Sequence, residues 1–229
     1  MNSDLSFDIN IVYDNLCNKK GFLTGFGFSA LIFNHFTQKF LLFDTGAKSD
    51  VLFNNIKMFN VDILDIKKVI ISHSHLDHAG SLREIYALNP DIDIYVPKGD
   101  EFAFKSAYLN AKIHGSTKLM EIEKNVFSSG HFDWSHINEQ ALFLQTSKNE
   151  IIILVGCAHP GLEQFILRAN ELNMHIKAVI GGFHGFRKFS YLENIEIIAA
   201  CHCTRYKDEI NNKFPTQFKK LCVGECLTF

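Results

Sequence analysis

The sequence lacks an excess of charge, a long apolar run and a secretory leader. Its 23 Lys and Arg residues nearly balance 25 Asp and Glu residues, and the formal net charge of −2 offers no electrostatic surface for nucleic acid or anionic lipid. No run approaches the roughly 20 apolar residues that a membrane span requires. Residues 1–5 lack a basic start followed by an apolar stretch, so we expect no signal peptide. We therefore expect neither nucleic acid nor a membrane as a partner.

Linkers, internal repeats and low-complexity tracts are also missing, and we expect one domain over residues 1–229. Six cysteines are present, but a chain of this length without a secretory signal is expected to keep them as reduced thiols. We therefore expect a cytoplasmic protein. With 47% hydrophobic and 21% charged residues, the chain can bury a large core.

Apolar runs of strand length alternate with segments of helical spacing along the chain. The predicted strands cover residues 8–13, 27–33, 40–43, 69–71, 92–96, 119–126, 141–145, 150–155, 176–180, 195–200 and 221–227. The predicted helices cover residues 49–59, 81–88, 101–110, 161–172 and 206–214. A Rossmann sheet would begin with a glycine-rich turn between strand and helix, which this sequence lacks. Two sheets with helices on their outer faces account better for this order.

The segment His73-Ser74-His75-Leu76-Asp77-His78 directly follows the apolar run 69–71. Neutral imidazole and carboxylate oxygen are natural ligands of zinc and similar ions. On a loop after a strand, His73 and His75 can bind one ion while Asp77 and His78 bind a neighbouring ion. A merely polar surface loop would not require this spacing. The segment therefore predicts a metal site.

Three further polar segments follow apolar strands, and each contains a histidine: 156–161 with His159, 181–184 with His184, and 201–204 with His202. If these strands are neighbours in one sheet, their carboxyl ends meet at one rim, where ligands bind in such sheets. We expect at least two of these three histidines to lie beside the metal loop.

The motif His73-x-His75-x-Asp77-His78 resembles the signature of the metallo-β-lactamase superfamily, whose fold is an αββα sandwich. The segment 41–46 (LLFDTG) is similar to the strand and turn that precede this signature. More narrowly, the segments 156–161 (GCAHPG), 181–184 (GGFH) and 202–204 (HCT) resemble the dihydropterin-ribofuranosylaminobenzene-phosphate-synthase-like subgroup. Segments 12–15 (VYDN) and 27–29 (GFS) fit this subgroup as well. The resemblance extends over essentially the whole chain.

The resemblance implies a four-layer α/β sandwich and two divalent ions, with zinc as the first expectation and manganese or iron as alternatives. His73, His75 and His159 would bind one ion, and Asp77, His78 and His202 the other. Members of the superfamily usually carry a bridging Asp where this chain has Cys157. Three alternatives remain open: Cys157 enters the ligand set, His131 replaces His159, or His184 replaces an assigned ligand.

The expected activity is that of a metal-dependent hydrolase. Bound zinc lowers the pKa of water to about 7, which yields a nucleophile at neutral pH. Asp77 would bind metal and orient the nucleophile or accept its proton. His184 would hydrogen-bond the substrate or the developing oxyanion, or else orient a ligand imidazole.

The expected substrate is a small-molecule ester, lactone or phosphoester. The alternative is a non-hydrolytic di-metal redox or binding protein of the same fold. Flavodiiron proteins of this fold prefer Glu where this chain has His75, and closed structural zinc sites are usually rich in cysteine. The histidine-dominated set therefore favours catalysis. The sequence does not define the oligomeric state.

Overall fold

Two mixed β-sheets face each other in the computed structural model, which describes residues 5–17 and 19–229. The first sheet has seven strands in the order β13-β1-β2-β3-β4-β5-β6. These strands are β1 (Phe7–Tyr13), β2 (Ser29–Asn34), β3 (Lys39–Phe43), β4 (Ile66–Ile70), β5 (Asp93–Tyr95), β6 (Lys112–His114) and β13 (Cys226–Thr228). Pairing is antiparallel from β13 to β3 and parallel from β3 to β6.

The second sheet has six strands in the order β12-β11-β10-β9-β8-β7. These strands are β7 (Met120–Glu123), β8 (Val126–Trp134), β9 (Ile137–Gln145), β10 (Glu150–Val155), β11 (His175–Gly182) and β12 (Ile197–Cys201). Strands β10, β11 and β12 run parallel to one another, and β7 to β10 form antiparallel pairs. The carboxyl ends of three parallel neighbours therefore lie side by side in this sheet.

Helices cover the outer faces of both sheets, and one short helix lies in the segment that carries the candidate metal ligands. The helices are α1 (Ser49–Met58), α2 (Leu76–Ala79), α3 (Leu82–Leu88), α4 (Glu101–Ala107), α5 (Leu162–Asn170) and α6 (Lys207–Lys213). In α5, Leu162, Phe165, Ile166 and Ala169 recur at helical spacing and are buried against the second sheet. Three apolar layers result: one between the sheets and one beneath each helical layer. Among the described residues, no helix is long and apolar enough to cross a membrane.

The burial of strand β10 explains its unbroken apolar run, residues 151–155. Ile152 and Leu154 pack between the sheets, whereas Ile151, Ile153 and Val155 pack beneath α5. A strand buried on both faces needs an unbroken apolar run rather than alternation. The expected αββα arrangement is confirmed, and most predicted elements are found with ends shifted by a few residues.

One expectation about this fold is wrong. Residues 119–126 form a hairpin instead of one strand, because Asn125 adopts a φ of 65° and turns the chain. The following segment 128–130 lies inside β8. Gly130 adopts a φ of 71° at a bulge where the pairing of β8 with β9 shifts register. Its amide donates to the Ser128 hydroxyl oxygen, and β8 continues beyond the bulge.

The three strands that precede His159, His184 and His202 are neighbours in one sheet, as expected from the sequence: they are β10, β11 and β12 of the six-stranded sheet. Strand β4, which precedes the segment 73–78, lies in the seven-stranded sheet. The short β6 and α2 were not predicted at all. Residues 1–4, over which we expect no signal peptide, lie outside the described residues.

Candidate metal centre

The polar segments after β3, β4, β10 and β12 come together at one end of the sandwich. Asp44, His78, Cys157 and His202 each follow one of these strands, and they are joined by side-chain contacts described below. Several of these turns are sharp: φ is 57° at Asp44, 56° at Ala158 and 44° at His202. Left-handed backbone is uncommon for residues other than glycine, and it is found where surrounding contacts enforce it, often at functional sites.

The first ligand group contains His73, His75 and His159, with one ring nitrogen from each within 4.8 Å of the others. His73 Nε2 lies 3.1 Å from His75 Nδ1. The His159 ring centroid is 4.7 Å from that of His73 and 5.2 Å from that of His75. His73 is buried, His159 is partly buried and His75 is exposed, so the group opens to solvent on one side.

The second ligand group contains Asp77, His78, Cys157 and His202, again with all donor atoms within 4.8 Å of one another. His78 Nε2 lies 3.2 Å from Cys157 Sγ and 3.5 Å from Asp77 Oδ2. His202 Nε2 lies 3.2 Å from the same Asp77 oxygen. Cys157, which we left as an alternative, is therefore placed among the expected residues of this group.

Both groups fit a transition-metal ion by donor spacing and by charge. A zinc–nitrogen bond of about 2.0–2.1 Å places two tetrahedral ligands about 3.3–3.4 Å apart, close to the spacings found here. Burial lowers the pKa of His73 and of His78 to about 3. Both imidazoles are therefore neutral at pH 7 with a lone pair available, as metal binding requires.

Asp77 also has the charge that a ligand needs. Burial opposes its ionisation, but the hydrogen bond with His202 and the neighbouring His78 outweigh this and hold its pKa below the usual range. Its side chain is 20% exposed, so the carboxylate faces the open side of the group.

The Cys157 thiol lies 3.2 Å from the Cys203 sulfur. The hydrogen bond shared with Cys203 and burial raise the pKa of the Cys157 thiol above its usual range. A cation bound beside the sulfur acts in the opposite direction and favours the thiolate. Cys157 can therefore serve as a ligand only where a cation stabilises its thiolate.

Asp44 reaches residues of both groups from beneath, His78 directly and His73 through Ser72. Its Oδ1 accepts from the Ser72 amide at 2.6 Å, and its Oδ2 contacts the Ser72 hydroxyl at 2.8 Å and His78 Nδ1 at 2.7 Å. The Ser72 hydroxyl lies 2.9 Å from His73 Nδ1 in turn. Burial raises the pKa of Asp44 to about 8, although His73 and the hydrogen bonds from Ser72 act in the opposite direction. One carboxyl group therefore orients a histidine of each group.

Gly156 precedes the Cys157 turn at a point of very close approach. A Cβ atom at this position would overlap with the Ser72 hydroxyl and lie 3.1 Å from Asp44 Oδ2. Glycine is therefore required for the turn to pack against the Asp44 network.

His202 is held by the segment after β1. The Asp14 carboxylate accepts from the His202 amide at 2.8 Å, and Asn15 Oδ1 lies 3.0 Å from His202 Nδ1. Phe26, an exposed ring, packs edge-on against the His202 imidazole at 4.9 Å between centroids. These contacts give a role to segment 12–15, for which the sequence provided only a resemblance.

Glu139 is the residue that the sequence did not reveal. It is fully buried on β9, and it accepts from His159 Nδ1 at 2.8 Å and from the amides of residues 157, 158 and 159 at 2.7–2.9 Å. Burial alone would raise its pKa, but the His159 hydrogen bond and nearby imidazoles outweigh it and lower the pKa to about 2. The same hydrogen bond raises the pKa of His159, although burial of the imidazole acts in the opposite direction.

Two of the expected histidines lie outside both ligand groups among the described residues. His131 lies on β8, and its Nδ1 accepts a hydrogen bond from the Gly99 amide at 2.8 Å. His184 is exposed, and its ring lies 5.2 Å from that of His159. Burial, the charge of His159 and that of Arg205 lower the pKa of His184.

A cleft of about 380 Å³ begins at His159 and His184. Trp134 forms part of its wall, stacks on the His159 ring at 5.9 Å between centroids and is 45% exposed. Arg187 and Lys188 also line the cleft, and Lys188 pairs with the buried Glu163 at 2.7 Å. The segment 184–188 thus contributes to this cleft.

Comparison with known proteins agrees with this geometry. The family model for the metallo-beta-lactamase superfamily matches residues 24–167, well over half of the chain. A relative from Methanocaldococcus jannaschii, named 7,8-dihydropterin-6-methyl-4-(beta-D-ribofuranosyl)-aminobenzene-5'-phosphate synthase, is 26% identical, and the match covers 84% of this chain and 85% of that protein.

Solved structures support the same fold. The metallo-beta-lactamase fold protein YhfI from Bacillus subtilis aligns with a TM-score of 0.69 and 13% identity over 99% of this chain and 100% of that chain. A diphosphatase from the PhnP family aligns with a TM-score of 0.67 and 11% identity, covering 97% of each chain. On its fold and on the match of residues 24–167, this chain belongs to the metallo-β-lactamase superfamily.

Proposed function

We propose that this protein is a metal-dependent hydrolase with a dinuclear site, acting on a small-molecule ester, lactone or phosphoester. The observation that carries the proposal is the adjacency of two ligand groups, the first of which contributes His159 to the wall of a cleft. The rings of His73 and His78, one from each group, lie 4.2 Å apart between centroids. Such adjacency suits two ions acting on one bond.

In this proposal, His73, His75 and His159 hold one divalent ion, and Asp77, His78 and His202 hold the other, with Cys157 as a further ligand. Imidazole, carboxylate and thiolate donors favour zinc, and manganese or iron are the alternatives. Two such ions supply Lewis-acid activation of water and of the bond to be cleaved.

The chain's own residues then position the substrate and move protons. Asp77 is ionised and partly exposed within the second ligand group, so its carboxylate can orient the nucleophile and accept its proton. His184 lies at the start of the cleft beside His159, where its imidazole can hydrogen-bond the substrate or the developing oxyanion. Trp134 provides a flat apolar wall beside them.

The test combines elemental analysis of purified protein with a screen of phosphodiesters, lactones and thioesters. We expect two transition ions per chain and turnover in one class, with both Asp77→Ala and His75→Ala abolishing turnover in folded protein. His175→Ala is the matched control, because this exposed histidine begins β11 at the opposite end of the sheet and pairs with Glu196. Wild-type protein with only trace metal would contradict the proposal.

A second candidate is a synthase reaction. The Methanocaldococcus jannaschii relative is named for a product that combines a dihydropterin, an aminobenzene and a ribofuranosyl phosphate, and the similarity covers 84% of this chain. Formation of the product for which that relative is named, from a dihydropterin whose methyl carbon carries a leaving group that is released as the new bond forms, without hydrolysis of any screened ester, would favour this candidate.

We also propose that residues 1–229 form one domain that acts on small molecules in the cytoplasm. Support for one domain comes from the inter-sheet core, which contains residues from both halves of the chain. Support for the location comes from free thiols such as Cys157 and Cys203, which a reducing compartment preserves. Limited proteolysis that released a separately folded fragment would contradict the first part.

A further inference from the structure

Glu139 binds the turn that carries one ligand of each group. Its Oε1 accepts from the amides of Cys157 at 2.9 Å and Ala158 at 2.7 Å. Its Oε2 accepts from the His159 amide at 2.8 Å and from His159 Nδ1 at 2.8 Å. Three successive amides that point at one carboxylate form an anion-binding concavity of the kind that backbone alone can build.

This turn has no other means of satisfying its buried amides in the described contacts. Cys157 and Ala158 are buried, and Ala158 has a φ of 56°, so the chain turns without a regular ladder here. An unsatisfied buried amide is costly, and three in sequence would force the turn to rearrange. The carboxylate of Glu139 therefore fixes the backbone from which both the Cys157 thiol and the His159 imidazole project.

The same contact selects the nitrogen that His159 presents. Because Nδ1 donates its proton to Glu139, Nε2 is the ring nitrogen that is free to face His73 and His75. Cys157, two residues earlier, faces His78 in the other group at 3.2 Å. One buried carboxylate thus sets the direction of donors in two different groups.

We propose that Glu139 is a positioning residue that couples the two metal sites, so that loss of its carboxylate weakens both ions together. The inference rests on the proposed dinuclear site. It differs from the role of an ordinary ligand, because an ordinary ligand such as His202 belongs to one group alone.

The test is the substitution Glu139→Gln, which keeps the size of the side chain but turns one acceptor oxygen into a donor. We expect zinc affinity at both sites to fall by at least about 10-fold, the effect typical of losing a partner that orients a ligand. Glu150→Gln is the matched control, since Glu150 begins the neighbouring strand at the opposite end and pairs with Lys177. Zinc content and affinity of Glu150→Gln should match those of the wild type.

Three results separate the possibilities. Loss of both ions in Glu139→Gln, against loss of one ion in His202→Ala, supports coupling. Loss of only the ion at His73, His75 and His159 would show that Glu139 orients one imidazole and would overturn coupling. Retention of both ions at wild-type affinity would overturn the positioning role altogether. A wild-type protein that binds no zinc instead contradicts the proposed function.

If the Glu139→Gln variant fails to fold, a second measurement, made on the wild type and on Glu139→Asp, tests the same inference. In wild-type protein labelled with ¹⁵N at histidine, zinc addition should shift the Nε2 resonance of His159 while Nδ1 keeps its proton and its hydrogen bond. Glu139→Asp, which keeps the charge but shortens the side chain, should bind both ions with intermediate affinity. Zinc bound through Nδ1 of His159 would refute the inference.

Discussion

The substitution of His159 and of His131 by alanine provides a sharp test of the ligand set. His131 lies on β8 and His159 follows the end of β10 in the same sheet, and each has been a candidate for the same ligand position. In the structure, His159 joins His73 and His75, whereas His131 accepts a hydrogen bond from the exposed Gly99 amide. Only one of the two substitutions should therefore affect metal binding.

The expected magnitude follows from these contacts. Removal of His159 takes away one of three imidazoles and the partner of Glu139, so affinity should fall by at least the 10- to 100-fold seen when even a supporting residue is lost. This range corresponds to about 1.4–2.8 kcal/mol of binding free energy. Removal of His131 costs at most one partly solvated hydrogen bond, about 1 kcal/mol of folding free energy, and no metal affinity.

The assay is a competition titration of zinc between each purified variant and a chromophoric chelator. Circular dichroism of both variants establishes that the fold is retained. We expect His159→Ala to release zinc at chelator concentrations that leave His131→Ala fully loaded. The reverse order would show that His131 occupies the ligand position after all, and that the position of His159 beside His73 has no bearing on metal binding.

Three further predictions concern the second ligand group and the response to acid. His202→Ala should retain one ion per chain and lose the other in elemental analysis; loss of both or of neither would contradict the division into two groups. Cobalt-loaded wild-type protein should show a thiolate-to-metal charge-transfer band that Cys157→Ser lacks, and a band that survives the substitution would exclude Cys157 as its source. The pKa of Glu139, lowered from 4.5 to about 2, contributes stability that is present above pH 4.5 and is lost as pH falls toward 2, so urea unfolding of Glu139→Gln should show a shallower loss of stability over this window than the wild type. Equal pH slopes for the two proteins would count against an ionised Glu139.

The parts of the fold that the sequence predicts well are those whose signal is local. The unbroken apolar run of β10 and the helical stripe of α5 reflect burial of each element as a whole. Likewise, the histidines at 73, 75, 159 and 202 come shortly after apolar strands, and the parallel strands β10 and β12 carry His159 and His202 to the same edge of one sheet. Pattern and placement agree at these positions, so the ligand groups could be anticipated.

The parts that were missed depend on contacts between segments distant in sequence. Because β8 was not recognised, β9 appeared to begin at Ala141, and Glu139 seemed to lie before the strand rather than within it. Its significance comes from amides 18–20 residues away, which a local pattern does not display. The placement of Trp134 on the His159 ring was hidden for the same reason.

Each ligand group takes donors from both sheets. The segment after β4 extends from the seven-stranded sheet, and the segments after β10 and β12 extend from the six-stranded sheet. Ions bound there would act as non-covalent crosslinks between the two halves. Because an ion that binds only the folded chain adds to its stability, about 4.1 kcal/mol at a concentration 1,000 times Kd, metal supply would also govern the lifetime of the protein. A cell short of metal would then hold fewer intact copies of this protein rather than an inactive reserve of it.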